Sequence, residues 1–358
     1  MKIASTGSGP RPVLAAASIL AAFIPASIFV SGTALASAAT ASQATVSCSV
    51  PRLISAISAA NRAGGTVTLA THCTYRLTTR NNATDGGTGL PVITKNVTVR
   101  GSGTTITRSG SAAFRLFDVA AGGSLSLSGL TLSNGLANDG LDGGGAVDNQ
   151  GELTVSGVTF TTNQSPAATG ASGGAISNSG TLRVSSSTFR GNIAQEGGGI
   201  LNQNNATITN TRFTGNTATD FGGGGIVNVL GTTTLSYDIF TGNKGPGGGA
   251  IDNDAVVNIN DSTFTGNVAG DNGGGALQNF GTMRVIRSWV SGNTSPFGAD
   301  LYNYIGGSLI AARSVIANGI GGLNCGGGTP VTDGGYNFDS GTSCGFSTAS
   351  HSVSGKEP

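Results

Sequence analysis

Residues 173–192 read GGAISNSGTLRVSSSTFRGN, and residues 248–267 read GGAIDNDAVVNINDSTFTGN. The two stretches share one frame: a Gly pair, Ala, Ile, an Asn two positions on, two apolar residues two apart, then Phe-x-Gly-Asn. Working outward, Phe recurs at 160, 189, 213, 240 and 264, each followed three residues later by Asn163, Asn192, Asn216, Asn243 or Asn267. Val290 with Asn293 continues the series, and Leu132 and Ile316 read as worn copies without that Asn. Successive copies lie 24 to 29 residues apart. Seven and five residues before the aromatic position stand apolar pairs, Leu153 and Val155, Leu182 and Val184, Val257 and Ile259, Met283 and Val285. That period of two marks a strand with one buried face. After Phe-x-x-Asn come a variable loop, a Gly run, a short apolar pair and a second Asn, at 149, 178, 202, 228, 253, 279 and 303.

Each unit therefore offers three short strands joined by turns, and no single unit can bury its own apolar side. Stacking solves this, because each strand pairs with its equivalent in the next coil and the aligned side chains fill a continuous core. The expected fold is all-β, a right-handed parallel β-helix, with Phe stacked on Phe along one interior row. Each Asn suits a turn in left-handed backbone geometry, and its amide can bond the next Asn along the stack. A leucine-rich repeat lacks its Leu-x-x-Leu-x-Leu frame here. The Gly143-Gly144-Gly145-Ala146-Val147-Asp148 run approaches a calcium-binding β-roll but recurs at the wrong period.

The ends carry different signals. Lys2 and Arg11 precede the apolar stretch Val13 to Val30, and Ala34-Leu35-Ala36 and Ala39-Thr40-Ala41 follow. Residues 1–41 read as a signal peptide cleaved between 36 and 41; Pro25 and the Ala-rich flank argue against a retained anchor. Leu53, Ile54 and Ile57, with Pro51 early and Gly64-Gly65 after, predict a short N-terminal capping helix. Residues 42–110 are expected to form this cap and the first, irregular coils, 111–320 the repeat coils, and 321–358 a disulfide-bonded cap and tail. Cys48 with Cys73 and Cys325 with Cys344 are close in sequence and separated by the whole array. One disulfide at each end is the expected pairing in an exported chain.

Only 10% of the 358 residues are charged and the formal net charge is +1, which excludes the dense basic face of a nucleic-acid binder. No second apolar span long enough to cross a membrane occurs. The two histidines, His72 and His351, stand outside the repeats, so Ser-His-Asp chemistry has no partner set. Asp148 and Asp252 occupy equivalent positions four coils apart, about 19 Å on ordinary strand spacing, too far for a dyad. Glu196 and Asp220 follow Phe-x-x-Asn in adjacent coils, with backbones about 5 Å apart. They are the candidate acid pair for glycoside hydrolysis and the candidate calcium ligands; solvated loop acids are the plainer alternative. Asp142 and Asp271 extend that row, while Arg183, Arg190, Arg212, Arg284 and Arg287 form no lyase motif. A row of Thr161, Thr214, Thr241 and Thr265 is interrupted by Arg190, which argues against an ice-binding face.

The Gly-Gly-Ala-Ile to Phe-x-x-Asn pattern resembles the polymorphic outer membrane protein repeat, and more broadly the chain resembles exported bacterial pectate-lyase-like β-helix proteins. Cys48-Ser49 with Ala59-Ala60-Asn61, and Gly335-Tyr336-Asn337-Phe338-Asp339-Ser340 before Cys344-Gly345-Phe346, resemble the opening and ending of such proteins. The Asp-Asp, Gly-His-Gly and Arg-x-Lys blocks of polygalacturonases are absent. With no carboxy-terminal barrel in the sequence, release or loose wall association is expected. The resemblance is specific for fold rather than activity; repeats without catalytic motifs point to a secreted, non-catalytic surface, adhesive or glycan-contacting module, expected to be monomeric, its partner a polysaccharide or a cell-surface protein. The alternative is a polysaccharide lyase or glycoside hydrolase acting on an acidic polysaccharide. No cofactor motif is present, and calcium is the one metal the acids suit.

Overall fold

The repeat frame closes into coils in the computed structural model, which describes residues 45–138, 143–166, 172–270 and 273–356. Residues 1–41, read from sequence as a signal peptide, and Asp142 and Asp271 lie outside the described residues. Every strand pairing along the repeat is parallel and joins equivalent residues of consecutive coils, giving a right-handed parallel β-solenoid of about nine turns. In register, Leu132 meets Phe160, and the row continues through Phe189, Phe213, Phe240 and Phe264 to Val290 and Ile316. The worn copies are thus full members of the stack.

The central coils carry four main ladders rather than three strands. The first holds five-residue strands such as Thr181–Ser185 and Val256–Asn260, whose second and fourth residues point inward. The second holds the Phe triplets, such as Thr188–Arg190. The fourth, nine strands deep, holds triplets such as Ile200–Asn202. Between the second and fourth lies a two-residue ladder, Gln164–Ser165, Ile193–Ala194, Thr217–Ala218, Lys244–Gly245 and Val268–Ala269, in the segment read from sequence as loop. Its second residue is always small and buried, which lets the chain bend tightly over the core.

The five phenylalanines are fully buried, and neighbouring ring centroids are 4.5–4.8 Å apart with planes within 10°. That spacing is the inter-strand distance itself, so backbone pairing and ring stacking reinforce each other. Both Asn rows form continuous hydrogen-bonded ladders. Asn163 donates to Asn192, and the chain of amide bonds runs through Asn216, Asn243 and Asn267 to Asn293 at 2.9–3.1 Å. The second row runs from Asn149 to Asn303 at 2.6–2.9 Å. The left-handed turn, however, falls on the glycine before the first Asn, at Gly191, Gly215, Gly242, Gly266 and Gly292 with φ of 59–65°. Glycine takes the conformation that L side chains resist, which leaves Asn free to turn its amide inward.

A third polar row, not anticipated from the repeat, lies at the corner between the first and second ladders. The backbone N–H of Val158 donates to Ser187, Ser187 to Thr211, Thr211 to Asp238, Asp238 to Ser262, Ser262 to Ser288, and Ser288 to Ser314. These side chains satisfy backbone donors that the corner turns away from the ladders.

Helix α1, Val50–Ala63, has Pro51 in its first turn and buries Leu53, Ile57 and Ala60 on one face. It packs against the N-terminal strands, and Cys48 is joined to Cys73 with Cα atoms 5.7 Å apart. At the other end Cys325 is joined to Cys344, Cα atoms 4.9 Å apart. The segment expected as a looped cap still carries ladder strands: Cys325–Gly327 pairs with Leu301–Asn303, and Phe338–Asp339 pairs with Val315–Ile316 and then with Val353–Ser354. No helix among the described residues is long and apolar enough to cross a membrane.

Candidate functional site

The fourth ladder positions the chemistry. In each triplet the first and third side chains face the core, so the middle one faces outward. In register these middle residues are Asp118, Asp148, Ser177, Leu201, Val227, Asp252, Gln278 and Tyr302. Most are nevertheless buried, because the Gly-rich loops of each coil fold across them. Asp148 and Asp252 are four register steps apart, as the spacing predicts, and form no dyad. Polar residues instead gather at the two ends of an apolar stretch.

At one end a groove of about 350 Å³ is lined by Asp220, Phe221, Pro246, Gly247, Asp252, Gln278, Phe280 and Tyr304. Asp252 and Gln278 are neighbours across one strand spacing, 9% and 4% exposed. Asp252 Oδ1 and Gln278 Oε1 have no hydrogen-bond partner among the described residues. Burial, reinforced by the nearby Asp254 and Glu196 carboxylates, pushes the Asp252 carboxyl up to about 8. It therefore carries its proton at neutral pH and offers both an O–H donor and an acceptor. A Cβ at Gly247 would lie 2.6 Å from Asp252 Oδ2, so a larger residue there would push the carboxyl aside.

Aromatic rings form the far wall. Phe280 and Tyr304 stack with centroids 3.9 Å apart, and Tyr302 meets Tyr304 edge-on at 5.0 Å. Phe280 is 39% exposed and Phe221 70% exposed. Burial and the nearby Tyr302 and Asp252 raise the Tyr304 hydroxyl above its ordinary value.

The sequence-predicted acids flank this groove. The Asp220 and Phe221 N–H groups donate to the Gln195 carbonyl at 3.0 Å, which sets Asp220 one coil from Glu196. Asp220 is exposed on the groove wall, and Glu196 is half-buried and acts on Asp252. What the two acids share is Asp252. Sequence reasoning missed Gln278 and Tyr304 as its companions. The available signal was the middle position of each Ile-x-Asn triplet, which places Asp252, Gln278 and Tyr302 in one column. His72 is exposed in a left-handed turn beside Cys73, and His351 stacks on Tyr336 at the far end. The Thr row is in register as expected, with Arg190 between Thr161 and Thr214.

The fold and groove place the chain among parallel β-solenoid proteins. No protein-family model matches it, and no curated protein matches it.

Proposed function

We propose that the chain is a secreted glycan-contacting module whose groove at Asp252, Gln278 and Tyr304 binds an uncharged polysaccharide. One observation carries this reading: Asp252 and Gln278, each with a buried oxygen that no described residue satisfies, line the same groove as an exposed aromatic stack. A sugar ring presents C–H faces that rest on aromatic rings and hydroxyls that need fixed donors and acceptors at its edge. Protonated Asp252 and Gln278 Oε1 supply such an edge. The groove lining holds no Lys or Arg, and Asp220 adds negative charge, so an acidic polymer is disfavoured. Two disulfides suit an oxidising compartment, and the small aromatic-lined surface suits a partner of glycan rather than protein size.

A second reading is glycoside hydrolysis. Asp252 has the raised carboxyl of a general acid, Glu196 acts on it electrostatically and Asp220 shares its groove, which makes these two the candidate partners. Calorimetric titration of the folded, disulfide-bonded chain with neutral oligosaccharides, followed by analysis for new reducing ends, separates the two. Saturable binding without turnover, weakened about tenfold by Tyr304→Ala (about 1.4 kcal/mol), supports the module. Turnover abolished by Asp252→Asn supports the hydrolase. Absence of any neutral-glycan binding, or binding indifferent to Tyr304→Ala and Gln278→Leu, would sink the assignment of this groove.

A further inference from the structure

A second cluster lies at the other end of the same column, away from the groove. Asp118 and Asp148 are register neighbours in the fourth ladder, and Asp85 reaches them from the loop that precedes the repeats. Each carboxylate offers one oxygen, and these three oxygens all lie within 4.8 Å of one another. Arg115 Nη1 donates to Asp148 Oδ2 at 2.5 Å, with the guanidinium fully buried, and Gln150 Nε2 donates to Asp85 Oδ2. Asp118 is different. It is 1% exposed, and neither of its carboxylate oxygens has a hydrogen-bond partner among the described residues. A buried carboxylate without donors is costly unless something positive meets it.

Charge and geometry name the missing partner. Among the described residues, the three carboxylates and the Arg115 guanidinium sum to two negative charges, the charge one divalent cation neutralises. Two oxygens bound to one calcium ion lie at most about 5 Å apart, because Ca–O bonds run ~2.3–2.6 Å. The three carboxylate oxygens meet that limit as they stand. Calcium completes its shell with water and neutral oxygens.

We propose that Asp85, Asp118 and Asp148 form a calcium site that clasps the loop around residue 85 onto the first coils of the solenoid. The site is separate from the acids singled out by sequence. Glu196 belongs to the coil of Leu201, two register steps beyond Asp148.

The test is calorimetric titration of the chelator-stripped full chain with calcium chloride, and with magnesium chloride in parallel, together with thermal unfolding at each concentration. The expected result is one calcium site with a Kd on the order of 10⁻⁴ M, a rise in melting temperature at 10 mM calcium (roughly 100 times that Kd), and weaker binding of magnesium. Asp118→Asn and Asp85→Asn should each weaken calcium binding at least tenfold and remove most of the thermal rise, while Glu196→Gln binds as the parent does. Asp85 is only half-buried, so its variant carries the test if Asp118→Asn folds poorly. A folded parent chain showing neither heat nor thermal shift at 10 mM calcium would overturn the proposal. So would wild-type affinity in Asp85→Asn, or loss of binding in Glu196→Gln.

Discussion

Asp238 occupies a place in the corner row where its neighbours along the stack are Thr211 and Ser262, and replacing it by serine should stabilise the protein at neutral pH. The hydroxyls of Thr211 and Ser262 each accept a backbone N–H and donate to the carbonyl two residues back, at 2.9 and 2.8 Å. Asp238 instead accepts from the Thr211 and Ser236 N–H groups at 2.7 and 2.9 Å and is fully buried. Burial, only partly offset by those two bonds, pushes its carboxyl from 3.8 up to about 7. The folded chain therefore holds a proton that the unfolded chain releases near pH 4. The stability linked to this group is whole below about pH 4, falls as pH rises towards 7, and is gone above the folded value. About three pH units at ~1.36 kcal/mol each set the loss at up to about 4 kcal/mol. Asp238→Ser keeps an acceptor for Thr211 and removes the titration. Denaturant unfolding of parent and variant, disulfides intact, should give similar stabilities at pH 4 and a variant more stable by roughly 2–4 kcal/mol at pH 8. Asp252 and Asp300, both raised to about 8, titrate in both proteins and cancel in the difference. A difference independent of pH, or larger at pH 4 than at pH 8, would refute the reasoning.

Phe213 stacks between Phe189 at 4.7 Å and Phe240 at 4.5 Å, so Phe213→Ala should cost about 3–5 kcal/mol, read as a lower denaturant midpoint. Unchanged stability would mean the row closes up around the gap. Two glycine variants should diverge in thermal unfolding. Gly266→Ala, at φ 62° with no atom within 4 Å of the new Cβ, should cost about 1–2 kcal/mol of left-handed strain. Gly174→Ala would drive its Cβ into the Gly198 carbonyl of the next coil and should cost more than 4 kcal/mol or prevent folding. Equal effects would show that the close coil-to-coil approach is not the constraint.

The repeated features were legible because each is a one-residue rule applied many times. Phe160 to Phe264, the two Asn rows and the worn copies at Leu132 and Ile316 follow from spacing, since equivalent residues must meet in a stack. The two-residue ladder escaped notice because Ser165, Ala194, Ala218, Gly245 and Ala269 share size rather than hydrophobicity, and a pattern two residues long has no period. The corner row mixes Ser, Thr and Asp, related only by having an oxygen near the backbone. Glu196 and Asp220 were placed in adjacent coils, but their meeting point at Asp252 depends on loops that fold across the outer face. Asp85 was least legible, because it comes from outside the repeat and its nearness to Asp118 and Asp148 is purely tertiary.

The unbroken Asn ladders make the molecule a lattice in one dimension. Along the outer column, Ser177, Leu201 and Val227 stand between Asp148 of the cation cluster and Asp252 of the groove. Their cores repeat the same Phe and Asn contacts, so loss or duplication of a whole coil keeps the Phe stack and both Asn ladders continuous. The separation between the two sites is thereby quantised. It changes only in steps of one strand spacing, about 4.8 Å, and a lineage can tune reach along an extended ligand by counting coils rather than by remaking either site.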